Sequence, residues 1–483
     1  MSAAKLPPNR RPSQTKIVAT VGPACSGVDR LVELIQAGVD VFRVNTAHGS
    51  REEHQQRLDD IRDASGRAGQ PIAILVDLAG PKIRLGQLPG DSLQCTAGEY
   101  VRFVRGDKAT RPGDLVTTYE PLVDELAVGD RIMLADGIVA LVVEHVEPDA
   151  ATCRVIQSGQ VRSRQGVNLP GVKLGVPTLG DVDRDNAEWA ADAGVDFLGL
   201  SFVRSAGDVR ELKSLIESRG AMAQVVAKIE KPEAIDQLEE IVAATDAVMV
   251  ARGDLGVEID IAQVPVVQKR IISLCHRLHK PVIVATQMLD SMQHSRIPTR
   301  AEATDVANAI LDGADACMLS GETAIGLYPV EAVEVMHRIA LATEPLNRHR
   351  EHVRPIEFDP ADPEPITEAT AMAAGRLAER LDARLVLVAS ASGQTAMRLS
   401  KDRLFVPTVG VSDSDATLRR MCLYWGVIPL AGAPTENSSE LLEFVTRQAR
   451  DAGYLTSGDR VVLIAGTGLN AAEHNMIVVH EIP

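Results

Sequence analysis

The sequence predicts an α/β protein: a closed (β/α)₈ barrel that carries an inserted small β domain and is followed by a C-terminal α/β domain. Three observations support this. Short apolar runs alternate with helix-like segments, a stretch of about a hundred residues without helical periodicity interrupts them, and the alternation restarts after residue 345. The 483 residues are also too many for a single hydrophobic core. We therefore expect about three domains.

Eight apolar runs predict the barrel strands. They are apolar nearly throughout instead of alternating, which is typical of strands covered on both faces in a parallel sheet. Eight β/α units favour a closed barrel, with an open doubly wound sheet as the alternative. The runs are 15–21, 39–45, 71–77, 195–201, 223–229, 246–252, 281–286 and 314–320.

The remaining segments complete the predicted organisation. The interruption after the third run is rich in Val, Thr, Arg and turn signals, which predicts a small β domain. Glycine and proline at both of its junctions are compatible with a hinged lid. After the charged, Pro-rich stretch 350–365, a helix and five strands form a second α/β unit. The predicted bounds are an N-terminal tail 1–14, a barrel 15–81 and 177–345, an inserted lid 82–176, and a C-terminal domain 346–483.

Charge and composition exclude several classes of function. The chain has 66 acidic and 50 basic residues, a formal charge of −16, so it lacks the broad positive field that nucleic acid or an anionic membrane attracts. No apolar run approaches a membrane span, and the polar N-terminus is not a secretory signal. The six cysteines are scattered without a Cys-x-x-Cys pair, which argues against disulfides or structural zinc. We expect a cytoplasmic protein.

The active site of such a barrel lies at the carboxyl ends of its strands. Glu230 and Asp254 follow neighbouring runs and are expected to project into one mouth. Two nearby carboxylates either share a proton or hold a hard cation. Oxygen-only ligands favour Mg²⁺ or Mn²⁺. The structural alternative pairs Glu230 with Lys231 or Arg252.

Basic residues follow the same strand ends: Arg43, Lys82, Arg84 and Lys228. Arginine suits a bidentate grip on phosphate or carboxylate, and lysine supplies a compact charge. Together with a metal, such groups neutralise a phosphoryl group in transfer, which depends on positioning and electrostatics. The sequence lacks a Gly-x-x-x-x-Gly-Lys-Ser/Thr loop, which excludes a P-loop kinase.

Three histidines are candidate functional groups. His276 and His279 are three residues apart on a helix and resemble a metal-binding pair, but no third ligand is evident, so we interpret them as surface residues. His48 stands in a strand-end loop and is expected to face a nucleotide.

A loop of the C-terminal domain joins a strand to a helix start, where backbone N–H groups favour a phosphate. Its candidate ligands are Ser390, Ser392, Gly393 and Thr395. Many loops of this type bind nothing, so both interpretations stay open at this point.

An ordered set of motifs resembles the pyruvate kinase family over almost the whole chain. Any one of these motifs is weak, whereas the ordered set is very specific. They are 15–23, Arg43-Val-Asn45 with His48-Gly49, Asp77-x-x-Gly80-Pro-x-Ile-Arg84, 166–171, 228–230, 251–256, 285–292, 298–302 and 305–308 through 318–323.

The resemblance implies roles for the charged residues. Glu230 and Asp254 would hold a Mg²⁺ that bridges the carboxylate and phosphate of phosphoenolpyruvate. Lys228 would stabilise the phosphoryl group and the developing enolate, Arg43 would grip the phosphoryl group, and Arg84 would lie toward the nucleotide phosphates. A second Mg²⁺ would arrive with ADP.

The resemblance also implies roles for uncharged groups and for the assembly. Backbone N–H groups of Gly253 and Asp254 and the Thr286 hydroxyl would hold the substrate carboxylate. Thr286 and Ser320 would lie near the path of enolate protonation. The products would be pyruvate and ATP, and the enzyme would be a homotetramer with a C-terminal effector domain. The residues expected around the nucleotide are Pro23, Asn45, His48 and Arg84.

Two departures from the family pattern carry hypotheses. Many members hold an obligatory K⁺, and of its side-chain ligands Asn45 and Asp77 survive here, whereas the serine position is Ala47. Lys82 replaces the usual glutamate of a Gly-Pro-Glu motif, and its ammonium is predicted to substitute for K⁺. The C-terminal domain lacks a clear Trp/Arg pair for a second phosphate, so we expect a monophosphorylated effector.

Competing hypotheses are a Mg²⁺-dependent barrel lyase acting on the same substrate, or a catalytically silent metabolite sensor.

Overall fold

The computed structural model describes residues 13–106, 108–109, 111–135, 137–172, 174–347, 365–435, 437–466 and 474–483. Two parts of the sequence discussed above fall largely outside them, namely the N-terminal tail up to residue 12 and most of the Pro-rich stretch 350–365. Residues 467–473 also lie outside them.

Within the described residues the chain forms twenty-one strands. Each predicted barrel strand is present, two residues or fewer from its expected ends. The strands are β1 Lys16–Thr20, β2 Val41–Asn45, β3 Ala73–Asp77, β4 Ser92–Cys95, β5 Tyr100–Val104, β6 Asp114–Leu115, β7 Arg131–Leu134, β8 Val139–Glu147, β9 Ala150–Gln157, β10 Gly159–Arg162, β11 Val167–Asn168, β12 Phe197–Leu200, β13 Gln224–Ile229, β14 Ala247–Ala251, β15 Val282–Ala285, β16 Ala316–Leu319, β17 Leu385–Ala389, β18 Thr408–Val411, β19 Val427–Pro429, β20 Arg460–Gly466 and β21 His474–Glu481.

The helices alternate with the strands in the barrel and in the C-terminal part. In the described residues they are α1 Val28–Ala37, α2 Arg51–Ala68, α3 Leu122–Glu125, α4 Asp181–Asp192, α5 Ala206–Ser218, α6 Pro232–Asp236, α7 Leu238–Ala244, α8 Arg252–Glu258, α9 Val264–Arg277, α10 Arg300–Asp312, α11 Gly321–Ala324, α12 Pro329–Asn347, α13 Pro365–Arg380, α14 Gln394–Lys401, α15 Asp415–Met421 and α16 Ser438–Asp451. Short 3₁₀ helices lie at Pro23–Cys25, Pro89–Asp91, Ile261–Gln263 and Asp290–Gln293. None of these helices is both long enough and apolar enough to cross a membrane.

Eight parallel strands close the barrel in the order β1-β16-β15-β14-β13-β12-β3-β2. Their side chains are buried almost without exception, as the continuous apolar runs predict. This confirms the closed barrel over the open sheet. All eight carboxyl ends therefore open at one mouth.

The opposite end of the barrel carries a fourfold repeat. An aspartate stands directly before every second barrel strand. Its carboxylate accepts the N–H at the start of the barrel strand before that one, as when Asp315, which precedes β16, accepts from Val282 of β15 at 2.7 Å. Each carboxylate also pairs with a cation. The pairs are Asp40 with Lys16, Asp196 with Arg419, Asp246 with Lys213, and Asp315 with Lys401 and Arg403.

The interruption after β3 folds as a separate β unit, as expected. A six-stranded sheet runs β11-β7-β8-β9-β5-β6, and β10 pairs with β4 beside it. Its core is its own, built around residues such as Phe103, Leu141 and Val155. Its chain leaves and returns at the barrel mouth, so it stands where a lid would.

The C-terminal part forms a five-stranded sheet in the order β19-β18-β17-β20-β21, with only β21 antiparallel to its neighbour. This domain packs against the end of the barrel opposite the mouth, which we call the closed end. Lys401 and Asp315, both without exposed side-chain surface, meet there at 2.6 Å.

The prediction that His276 and His279 are surface residues is wrong, because both lie at this contact between the domains. Burial, with the nearby charge of Arg403, lowers the pKa of His276 to about 3. His279 is 13% exposed and its Nε2 lies 3.3 Å from the Glu368 carboxylate of α13. The last turn of α9 faces the C-terminal domain, so these histidines lie in a seam instead of facing water. All six cysteines are buried and unpaired, as the sequence indicates.

Candidate active site

Lys228 is the centre of the charged cluster at the barrel mouth. It stands near the end of β13, and its Nζ donates to the Ser201 hydroxyl at 2.7 Å and lies 2.9 Å from Glu230 Oε1 and 3.3 Å from Asp77 Oδ1. Burial by itself would lower the pKa of Lys228, but the two carboxylates raise it above its usual value. The side chain is therefore a fixed positive charge in a largely dry site.

Arg43 joins this cluster from β2. Its guanidinium pairs with Asp77 Oδ2 at 2.6 Å and also reaches the Thr20 hydroxyl at 3.1 Å. Burial would raise the pKa of Asp77, but the charges of Lys228 and Arg43 hold it below its usual value. Asp77 thus orients two cations, one at each of its carboxylate oxygens.

The two predicted metal ligands differ in their surroundings. Glu230 is 1% exposed, and its Oε2 accepts the Phe202 N–H at 2.7 Å. Burial, and also the negative charge of Asp254, raises the pKa of Glu230 against the opposing charge of Lys228. Asp254, in the first turn of α8, is 32% exposed. Glu230 pairs with neither Lys231 nor Arg252, since Lys231 binds Glu258 and Arg252 binds Asp305.

The donor set fits a hard divalent cation. Mg²⁺ in proteins is commonly held by one or two carboxylates together with substrate phosphates and water. Here the carboxylates of Glu230 and Asp254 interact electrostatically. The nearest ammonium group is that of Lys228 for Glu230 and that of Lys82 for Asp254. Among the described residues no group of three His, Cys, Asp or Glu side chains forms a closed cage. An open site of two carboxylates leaves positions for substrate oxygens.

Lys82, where the inserted unit begins, points into the mouth. Its Nζ lies 4.0 Å from Asp254 Oδ1, and its side chain is 33% exposed. Asn45 and Asp77, the two side chains that the family resemblance relates to K⁺ binding, already have partners. Asn45 Oδ1 accepts the Ala47 N–H at 3.0 Å, and Asp77 holds the cations described above.

Thr286 follows β15 in a strained turn. Thr286 has φ 69° and the next residue, Gln287, has φ 55°, a conformation that costs a non-glycine residue about 1–3 kcal/mol. The Thr286 hydroxyl accepts the Gly253 N–H at 2.7 Å and contacts the Ala285 carbonyl oxygen at 2.6 Å. It therefore lies beside the start of α8, where Asp254 also stands.

Ser320 ends the neighbouring strand, β16. Its Oγ is buried and has no hydrogen-bond partner among the described residues, while its N–H donates to Glu322 at 2.7 Å. Glu322 is 1% exposed and also accepts the Leu289 N–H, and burial raises the pKa of its carboxyl group. Glu322 thus ties the loops after β15 and β16 together.

The residues expected around a nucleotide lie on the rim of the mouth. Pro23 and His48 are exposed, and Arg84 is half-buried with its guanidinium on the Arg164 carbonyl oxygen. Partial burial and the charges of Arg84, Arg43 and Lys82 lower the pKa of His48. An uncharged imidazole on a cationic rim is compatible with a phosphate-bearing ligand.

The C-terminal loop forms the predicted strand-to-helix turn. Gly393, with φ 85°, caps α14 and donates its N–H to the Ser390 hydroxyl at 3.0 Å. The Gln394 N–H donates to Ser392, which is exposed, whereas Thr395 is 1% exposed. The solvent-facing group among the candidate side chains is therefore Ser392.

Sequence reasoning missed two supporting groups. Ser201, at the end of the β12 run, accepts from Lys228 and itself donates to the Leu78 carbonyl oxygen at 2.6 Å. Arg252 carries hydrogen bonds that fix the turn at Thr286. Both residues end predicted strands, at 201 and 252. Their position predicts polar groups at the barrel mouth but does not identify their hydrogen-bond partners.

The fold and this mouth define a class: a barrel phosphotransferase with a lid-like domain, whose cations and carboxylates converge on one anionic substrate. The family model described as "Pyruvate kinase, barrel domain" matches residues 12–333, and "Pyruvate kinase, alpha/beta domain" matches residues 368–480. The chain belongs to the pyruvate kinase family, whose members transfer the phosphoryl group of phosphoenolpyruvate to ADP and generally use Mg²⁺.

Relatives support the assignment along the whole chain. A pyruvate kinase of Geobacillus stearothermophilus is 41% identical over 97% of this chain and 80% of its own length. One of Mycobacterium intracellulare is 40% identical over 97% of this chain and 98% of its own. The crystal structure of a pyruvate kinase from Cryptosporidium parvum superposes with a TM-score of 0.91 at 32% identity, covering 97% of this chain and 96% of that one.

Proposed function

We propose that the cluster around Lys228 carries the phosphoryl transfer. The supporting observation is that the ammonium of Lys228 and the guanidinium of Arg43, whose side chains are both 11% exposed, share the carboxylate of Asp77. As the phosphorus–oxygen bond of phosphoenolpyruvate breaks and a bond to the terminal oxygen of ADP forms, negative charge stays on the enolate oxygen. Lys228 stabilises that charge, and Arg43 holds the phosphoryl oxygens, because both are preorganised before the substrate arrives.

Glu230 and Asp254 are the proposed Mg²⁺ ligands. A bound Mg²⁺ would supply positive charge toward the substrate carboxylate and phosphoryl oxygens. Lys82 stands beside Asp254 at 4.0 Å, a contact that a metal would compete with. Replacing Glu230 by Gln is expected to raise the Mg²⁺ concentration needed for half-maximal activity by at least tenfold.

The neutral groups of the mouth are proposed to orient the substrate and its product. The N–H groups of Gly253 and Asp254, with the Thr286 hydroxyl, are proposed to receive the substrate carboxylate, which would replace the hydrogen bond of 2.7 Å between the Gly253 N–H and the Thr286 hydroxyl. Thr286 and Ser320 then lie near the methylene carbon that takes up a proton to give pyruvate. The orphaned Oγ of Ser320 supports this, because a buried hydroxyl without a partner is suited to hold a water molecule or a substrate oxygen.

The nucleotide is proposed to occupy the rim, between the barrel and the inserted domain. Arg84 would pair with ADP phosphates, and Pro23, Asn45 and His48 would line the remaining contact. Residues 82–176 would act as the lid, between the barrel segments 15–81 and 177–345, with 346–483 as the effector domain. Closure of such a lid would exclude water from the transferring phosphoryl group.

Lys82 is proposed to replace K⁺. Support comes from its ammonium at the mouth and from Ala47, which offers no side-chain ligand. The test is pyruvate formation from phosphoenolpyruvate, ADP and Mg²⁺ in K⁺-free buffer and again with K⁺. Equal activity in both is expected. Strong K⁺ activation would refute the role of Lys82, and no pyruvate in either buffer would refute the kinase and favour the lyase or the sensor.

A matched variant sharpens the same test. Lys82→Glu restores the family's usual residue and is expected to lower activity without K⁺ by at least tenfold. The control is Lys269→Glu, since Lys269 pairs with Asp312 on the outer surface and lies far from the mouth. A Lys82→Glu enzyme as active without K⁺ as the unmodified one would contradict the hypothesis.

Regulation and assembly complete the proposal. The loop with Ser390, Ser392, Gly393 and Thr395 is proposed to bind a monophosphorylated effector, because it joins a strand to the start of α14, where helix N–H groups favour a phosphate, and because Ser392 faces solvent. The chain is proposed to form a cytoplasmic homotetramer. Substrate saturation curves with and without a sugar monophosphate or AMP test the effector, and light scattering tests the tetramer.

A further inference from the structure

The loop between β2 and α2 carries His48, one of the residues that we propose to face the nucleotide. A second histidine, in the first turns of α2, binds the backbone of this loop. The His54 side chain is 2% exposed, and its Nε2 donates to the His48 carbonyl oxygen at 2.9 Å. Because a carbonyl oxygen can only accept, Nε2 carries the proton of this bond. The other ring nitrogen, Nδ1, is buried and has no hydrogen-bond partner among the described residues.

The peptide group that His54 binds leads into a glycine. Gly49 has φ 99°, a conformation in which a side chain is strained, and a Cβ atom there would lie 2.5 Å from a Glu53 carboxylate oxygen. Glycine also leaves the adjoining peptide with more rotational freedom than other residues do. The hydrogen bond from His54 removes that freedom, and it thereby fixes the direction in which the His48 side chain leaves the loop.

A tryptophan of a neighbouring helix packs against the His54 imidazole. The ring centroids of His54 and Trp189, which lies on α4, are 5.9 Å apart. Trp189 Nε1 donates to Gln55 Oε1 at 3.0 Å, and the guanidinium carbon of Arg51 lies 5.2 Å from the Trp189 ring centroid. Arg51 also donates to Asn186 Oδ1, one turn earlier on α4, at 2.9 Å. The first turns of α2 are therefore bound to α4, and this packing restricts the imidazole.

We infer that His54, backed by Trp189, is a positioning residue for the nucleotide: it aims His48 at ADP without touching the ligand itself. This inference rests on the proposed role of His48 on the rim. His54 is not part of the cluster around Lys228, so its loss should weaken ADP binding and leave phosphoenolpyruvate binding unchanged. A purely structural role in packing α2 would instead lower the stability of the enzyme without selecting one substrate.

The test compares two replacements of His54. His54→Gln keeps an N–H donor at a similar distance from the backbone, whereas His54→Leu keeps a buried side chain and removes the donor. For the full-length enzyme and each variant, steady-state kinetics give the KM for ADP, the KM for phosphoenolpyruvate and kcat, and calorimetric titration with ADP and Mg²⁺ gives the Kd. His337→Leu is the control. His337, on α12, also forms a hydrogen bond, with the Ser13 hydroxyl at 3.1 Å, but at the closed end of the barrel.

We expect His54→Leu to raise the KM and the Kd for ADP at least about fivefold, the effect of losing one hydrogen bond. The KM for phosphoenolpyruvate and kcat should change less than about twofold, and His54→Gln should stay within about twofold of the unmodified enzyme throughout. In a His48→Ala background, His54→Leu should change the KM for ADP less than about twofold, because His54 acts through His48. Equal losses in both KM values, no rescue by glutamine, or an undiminished loss in the His48→Ala background would overturn the inference.

A second variant keeps the inference testable if His54→Leu folds poorly. Trp189→Leu leaves His54 in the chain and removes the ring that packs against it, and it should raise the KM for ADP at least about threefold. An unchanged KM for ADP in a natively folded Trp189→Leu enzyme would refute the pair. If His48→Ala binds ADP as tightly as the unmodified enzyme, the proposed role of His48 fails instead, so the two failures are distinguishable.

Discussion

Replacing Lys228 by Met removes the ammonium that Glu230 and Asp77 share and keeps a side chain of similar length. We expect kcat to fall at least ~10³-fold, because removing one preorganised charge-stabilising donor costs ~10²–10³ and here a full positive charge is lost. That factor corresponds to about 4 kcal/mol of barrier, at 1.36 kcal/mol per tenfold.

The same change should also destabilise the fold. Glu230 and Asp77 are each 1% exposed, and their distances to Nζ are 2.9 and 3.3 Å, so both carboxylates lose a close counter-charge. Breaking a buried ion pair by removing one partner costs about 3–5 kcal/mol. Because the burial-raised pKa of Glu230 eases its protonation, the loss should be smaller in acid than at neutral pH.

Stopped-flow measurement of pyruvate formation and urea unfolding at two pH values would check both parts. Lys213→Met is a suitable control, since Lys213 also pairs with an aspartate, Asp246, but at the closed end of the barrel. A Lys228→Met enzyme within tenfold of the unmodified kcat, at saturating substrates and with native stability, would refute the assignment of Lys228 as the charge at the reacting centre.

Two further predictions concern the seam between the barrel and the C-terminal domain. Asp315→Asn leaves the buried Lys401 and Arg403 without their carboxylate and should lower the free energy of unfolding by about 3–5 kcal/mol in urea titrations; a loss under about 1 kcal/mol would contradict the buried pairing. Burial, with the charge of Glu368, raises the pKa of Asp402 to about 7. The unfolded chain releases this proton near pH 4, so Asp402 makes stability fall as pH rises from about 4 to about 7. Asp402→Asn should flatten that decline in thermal melts, and an unchanged slope would count against it.

The barrel was predictable because its signals are local. Runs that are apolar on both faces mark strands in a parallel sheet, and the strand-end rule then brings Arg43, Lys228, Glu230 and Asp254 to one mouth. The pairing of those groups was not predictable in the same way. That Asp77 would hold both Arg43 and Lys228 depends on the register of β2, β3, β12 and β13 around the barrel, which no single run encodes.

The histidines of α9 show where the pattern misleads. A helix of the barrel's outer ring presents its polar face to solvent unless another domain covers it, and the sequence of α9 alone carries no mark of that cover. His276 and His279 read as surface residues for this reason, although α13 and the loop after α14 pack over them. Likewise, Arg252 lies close in sequence to the proposed metal ligand Asp254, but its guanidinium pairs with Asp305.

The fourfold aspartate repeat at the closed end bears on how the domains of this chain can be recombined. Asp40 and Asp246 pair with cations of the barrel itself. Asp196 and Asp315, on opposite sides of the ring, pair with cations of the C-terminal domain: Asp196 with Arg419, and Asp315 with Lys401 and Arg403. The barrel and α/β modules are therefore not independent parts, even though separate family models match them. A barrel expressed alone would expose two bare carboxylates at the base of its strands, and a chimaera with a foreign C-terminal domain would need basic residues at positions 401, 403 and 419 to replace them.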